Sequence, residues 1–170
     1  MEFEQLAKGE QPEFQRHILR DLPQIPGLLS SGRLVLPYTS SIVLAETTEE
    51  ILSDKIRALF ERIYIKGRDV YDVWWLFAQM GVRVSWPVVK RKLGLYRAPF
   101  QPARELDFFH SEAAAKMLIN AMRTDLPRFI PPAPLSVYQE DRFTPLINAL
   151  RQVIADLIDQ GMILNPVAAP

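Results

Sequence analysis

Between residues 47 and 63 the chain reads TTEEILSDKIRALFERI, and its apolar residues Ile51, Leu52, Ile56, Leu59, Phe60 and Ile63 return at helical spacing. At about 100° per residue these positions cover roughly half of a helical wheel. A stripe that wide has to be buried, so the segment is expected to be a helix docked in a core. Thr47 and Glu50, three residues apart, read as a capping box at its start. One residue breaks the pattern. Lys55 falls inside the apolar arc, between Ile51 and Leu59. An ammonium there is costly unless it is paired or reaches water along its stem.

A partner is available downstream. A second helix is expected from near Arg68 to Met80, with Gly81 as its stop. On it Asp69 and Asp72 share a side with Val73, Leu76 and Met80, and Asp69 lies in the first turn, where the helix dipole favours a carboxylate. Two readings stand. In one, Lys55 and Asp69 or Asp72 form a structural ion pair that ties the helices together. In the other, Lys55 is held dry and rigid by Asp69 to meet a polyanion such as a nucleoside triphosphate, with Arg68 as either a surface residue or a second phosphate contact.

The remaining elements are mostly helical. Residues 1–32 are polar and broken by Pro12, Pro23, Pro26, Gly27 and Gly32, with a short helix expected around EFQRHILRDL. RLVL (33–36) and SIVLAE (41–46) read as two short strands flanking PYTS. Ser85 followed by WPVVKRKLGLY predicts a third helix with Pro87 in its first turn, and SEAAAKMLINAM a fourth over Ser111 to Thr124. RFIPPAPLS reads as an extended connector. A final helix lies between Thr144 and Gly161, its Leu146, Ile147, Leu150, Val153, Ile154, Leu157 and Ile158 forming one apolar stripe. Trp74, Trp75 and Phe77 are assigned to the core. The expected fold is α+β, mainly α: a strand-bearing segment over 1–46, a helical bundle over 47–162 and a frayed tail over 163–170.

Bulk properties narrow the function. A net charge of +0 gives no global pull toward nucleic acid or anionic membrane, so such a partner needs a local patch. With no cysteine and only His17 and His110, thiolate chemistry and a histidine-rich zinc site are excluded. The acidic start MEFEQLAKGE does not read as a secretory leader, and no apolar run approaches a membrane span; a cytoplasmic protein is expected.

The series TTEEILSDKIRAL followed by KGRDVYDVWWL resembles the core of the AbiEii-type nucleotidyltransferase toxins of bacterial toxin–antitoxin and phage-defence systems. Glu50, Ile51, Leu52, Asp54, Lys55, Ile56, Ala58 and Leu59 match its first motif, and Arg68, Asp69, Val70, Tyr71, Asp72 and Val73 its second. The likeness is good over residues 33–80 and general beyond. It implies that Lys55 occupies the phosphate-binding position and that Asp69 lies in the last catalytic motif; Arg68 and Asp72, which match the second motif, stand beside them as candidate phosphate-binding and catalytic residues. It further implies Mg2+ and a nucleoside triphosphate as cofactor and substrate, an antitoxin as partner, and transfer RNA as an acceptor in some members.

Two motifs that this chemistry needs have no counterpart. The chain has no Asp-x-Asp pair, and none of its seven glycines is followed by serine or glycine. Two metals on such carboxylates stabilise an in-line displacement, and a glycine–serine helix start holds the phosphates. The chain is therefore expected to be the C-terminal portion of such an enzyme, inactive alone, with the other half in a separate polypeptide or longer parent chain. The competing expectation is a non-catalytic remnant whose helices bind an antitoxin or a second copy. Between Val73 and Arg104 Asp and Glu are absent, while Lys90, Arg91, Lys92 and Arg97 interleave with Trp86, Tyr96 and Phe100. This run reads either as a solvated basic face or as a nucleic-acid contact. A helix-turn-helix reading of the segment after Gly81 is the weakest, because no clear recognition helix is present.

Overall fold

The computed structural model describes residues 11–18 and 42–164. Two strands and six α-helices are present among them, giving a mainly helical α+β fold. Residues 12–18 and 42–47 belong to one compact unit and residues 48–164 to another.

In the smaller unit β1 (Phe14–Ile18) pairs antiparallel with β2 (Ile42–Glu46), Phe14 standing opposite Glu46 and Ile18 opposite Ile42. The helix expected around EFQRHILRDL is thus a strand over its first half. FQRHI has no helical stripe of its own, and a β-rich partner settles its conformation. RLVL lies outside the described residues. β2 is where the sequence placed a strand.

The larger unit is a helical assembly. α1 (Thr48–Glu61) packs on α3 (Trp86–Gly94) and on α2 (Gly67–Trp74); α2 also meets α4 (Glu112–Asp125) and α6 (Thr144–Asp159). Leu52, Ile56, Leu59 and Phe60 of α1 are buried with Val70 and Val73 of α2, and Phe60 meets Phe109 edge-on at 5.4 Å. Ile63 does not join them. The helix ends at Glu61 and Ile63 is 88% exposed, a correction to the stripe. Arg104 explains the ending: its buried guanidinium donates to the carbonyls of Leu59 (2.9 Å), Arg62 and Ile63 (2.8 Å), supplying donors for carbonyls that a helix end leaves open.

The backbone N–H of Thr47 donates to the Glu13 carbonyl, and the Glu50 carboxylate is turned toward Arg91 and Lys92 of α3. Gly67 opens α2 for a steric reason. A Cβ there would lie 2.5 Å from the Ala121 oxygen and 2.5 Å from the Met122 Cα, so α2 and α4 approach through a missing side chain. The Gly67 N–H donates to Asp125 at 2.7 Å. Beyond Trp74 the helix widens into a π-helical stretch over Trp75–Gln79, and Gly81 follows at φ +70°.

Ser85 stands at the N-cap of α3, with Pro87 in its first turn, and Ser111 caps α4 by accepting from the Ala114 N–H at 3.0 Å. The proline connector is corrected too, because Pro132–Glu140 is helix α5. Pro132 and Pro134 fall in the first turn, where the backbone needs no intrahelical donor. On α6 the stripe from Leu146 to Leu157 is buried, whereas Ile158 is exposed. Among the described residues no helix is long and apolar enough to cross a membrane.

Candidate functional site

Lys55 lies in the middle of α1, and Asp69 and Asp72 follow one another on one face of α2. Because these helices pack together, the amine reaches both acids: Lys55 Nζ stands 3.2 Å from Asp69 Oδ1 and 2.7 Å from Asp72 Oδ2. The Asp69 side chain is only 4% exposed. Its other oxygen, Oδ2, accepts from Arg62 Nη1, so each of its oxygens meets a cation. Its backbone N–H donates to the Lys66 carbonyl at 3.0 Å, fixing it at the turn into α2.

Burial disfavours the charged form of Lys55, but the hydrogen bond to Asp72 and the fields of Asp72 and Asp69 outweigh it, and the pKa rises above the ordinary lysine value. Lys55 is therefore a fixed cation and not a general base at neutral pH. Arg62 escaped the sequence reading. Its signal was a position seven residues after Lys55, two turns along the same face.

Lys55 and Asp72 stand on the wall of a cleft of about 570 Å3, a size typical of small-molecule sites. Arg68, Tyr71, Trp75, Phe129 and Tyr138 complete its main surfaces. Trp75, read from sequence as core, is instead 46% exposed, because the π-helical stretch begins there. Its ring lies 6.3 Å from that of Tyr71 at an interplanar angle of 19°, and Tyr138 stands edge-on to Tyr71 at 6.4 Å. Burial raises the Tyr71 pKa, with Tyr138 and Asp72 adding to the effect. Trp74 is in the core as expected, and Phe77 is partly buried against it. Arg68 is exposed and forms no ion pair among the described residues.

The basic run does not form one face. Lys92 is 0% exposed and lies 2.9 Å from both Glu50 and Asp54, so it belongs to the α1–α3 interface. Arg91 pairs with Glu50, Arg104 closes the end of α1, and Phe100 is buried. Arg57 stacks 4.1 Å over Tyr96. Lys90 and Arg97 are exposed. The physical reason is that α3 turns its last turn toward the acidic positions of α1.

A resident divalent metal does not fit this donor set. Asp69 and Asp72 are already matched by Lys55 and Arg62, and among the described residues no three His, Asp or Glu side chains converge for a metal.

Comparison with known proteins gives one family. The family described as Nucleotidyl transferase AbiEii toxin, Type IV TA system, matches residues 6–154. No curated protein and no solved structure matches the chain.

Proposed function

This chain belongs to the AbiEii nucleotidyltransferase toxin family of type IV toxin–antitoxin systems, and on that premise we propose that Lys55, Asp69, Asp72 and Arg68 are the part of a nucleotidyltransferase site that meets a nucleoside triphosphate. The observation that carries the reading is the Lys55 amine, fixed by Asp69 and Asp72 on the wall of an open cleft. A cation held in place by its neighbours stabilises phosphate charge without reorganising during the reaction. Asp69 positions both Lys55 and Arg62, and Arg68 supplies a cation that no carboxylate of the described residues neutralises.

Magnesium enters with the nucleotide, and the carboxylates that bind it are supplied by another part of the enzyme, since the chain has no Asp-x-Asp. Alone the chain binds nucleotide without turning it over. In cells it works with a cognate antitoxin and uses an RNA such as transfer RNA as acceptor, within a phage-defence role. Lys90 is an exposed cation of the basic run for such a contact, and Arg97 is exposed beyond the end of α3. The interaction-module reading has less support, because the apolar stripe of α6 is spent inside its own unit.

Isothermal titration with magnesium nucleoside triphosphates tests this. Millimolar or tighter binding that disappears in Lys55→Ala is expected; wild-type protein with no heat at millimolar ligand rejects the nucleotide site.

A further inference from the structure

A second pocket, of about 270 Å3, adjoins the aromatic cleft, and Arg68 and Phe129 wall both. Lys66, Arg68 and Arg128 line it together with a single acid, Asp125. Asp125 is partly occupied, since its Oδ2 accepts the Gly67 N–H at 2.7 Å. None of the three cations forms an ion pair among the described residues; Lys66 lies over the Tyr64 ring at 5.6 Å.

The contrast with the neighbouring cluster is informative. There two cations, Lys55 and Arg62, face two carboxylates, Asp69 and Asp72, and the charges cancel. In the adjoining pocket three cations converge on one acid. Like charges gathered around a small concavity repel one another until an anion enters, so the pocket favours a polyanion by the same Coulomb term. Arg side chains in particular form paired hydrogen bonds to phosphate oxygens. On the other side of Arg68 the cleft offers the Tyr71 and Trp75 rings, close to parallel, as a stacking surface.

We propose that the two cavities form one nucleotide-binding groove, in which the base lies against Tyr71 and Trp75 and the phosphate chain passes Arg68 into the Lys66–Arg68–Arg128 pocket. This rests on the nucleotide reading above and extends it: Arg128 and Lys66 become phosphate contacts, Trp75 a base contact, and Lys55 meets the chain from the wall of the aromatic cleft.

The test uses the intact chain, with ATP and inorganic tripolyphosphate as probes and affinity read by titration calorimetry at fixed magnesium and salt. Arg128→Gln weakens both probes by about tenfold, the loss expected for one charge-assisted phosphate contact. Trp75→Ala weakens ATP by about tenfold and leaves tripolyphosphate unchanged. Arg128→Lys recovers part of the loss, and Lys116→Gln, an exposed lysine on α4, changes neither probe. Arg128 and Trp75 are exposed, and circular dichroism of each variant confirms that the fold is kept. Binding of ATP that is lost in Lys55→Ala but unchanged in Arg128→Gln overturns the groove and leaves the nucleotide site standing. Equal loss of ATP and tripolyphosphate in Trp75→Ala overturns the base assignment. Wild-type protein that binds neither probe overturns both readings.

Discussion

Asp69 and Asp72 both touch Lys55, yet their removal is expected to have different consequences. At 3.2 Å the Lys55–Asp69 pair has a gross Coulomb energy of about 5 kcal/mol at an effective dielectric near 20, before desolvation is counted. Arg62 adds a second attraction on the other oxygen, discounted because its side chain is partly exposed and screened. Asp69→Asn keeps the shape but leaves Lys55 and Arg62 facing each other across a neutral amide. Breaking one side of a buried pair in this way costs about 3 kcal/mol. Asp72 sits at the cleft surface, and the same change there costs about 1 kcal/mol or less. Urea denaturation of the two variants measures the difference, with a double-mutant cycle against Lys55→Met isolating the pair. Equal costs, or a Lys55–Asp69 coupling indistinguishable from zero, would refute the claim that burial of Asp69 organises the cluster.

Three further outcomes follow from the packing. Gly67→Ala forces a Cβ into the α4 backbone and should cost about 3 kcal/mol or more, read as a lowered midpoint in thermal denaturation. Lys92→Met leaves the buried Glu50 with Arg91 as its remaining α3 cation and should cost about 3–5 kcal/mol in urea; adding Glu50→Gln should recover a large part of it. Lys55 and Tyr71 both have pKa values raised above their ordinary 10.5 and 10.0, so the folded state retains protons that the unfolded chain releases first. Their contribution to stability is full below about pH 10 and is lost as pH rises through the raised values, and Tyr71→Phe should make that alkaline limb shallower in pH-resolved urea titrations.

What the sequence disclosed was local, and what it concealed depended on partners. The Lys55 anomaly was visible because helical periodicity places a residue on a face without knowledge of the neighbour, and the acids that could answer it lay one helix away. Arg62 was harder to see, since only the packed geometry shows a second cation on Asp69. β1 reads as helix from sequence because five residues of mixed polarity take their conformation from a strand that lies far along the chain, Phe14 facing Glu46 and Ile18 facing Ile42. α5 reads as an extended connector because three prolines cluster at its start, although prolines confined to a first turn are compatible with a helix. Lys92 shows the limit most clearly. Its neighbours Lys90 and Arg91 carry the same charge and it sits in the same run, yet it alone of the three is fully buried, because α3 turns it toward Glu50 and Asp54. The formal net charge of zero hides this segregation. Acids are concentrated where α1 meets α2 and α3, at Glu50, Asp54, Asp69 and Asp72, and there they neutralise the cations of those contacts, which leaves Lys66, Arg68 and Arg128 with Asp125 as the one acid in their pocket. A chain without overall charge can in this way present a strongly local field, and only the packing of its helices reveals where that field lies.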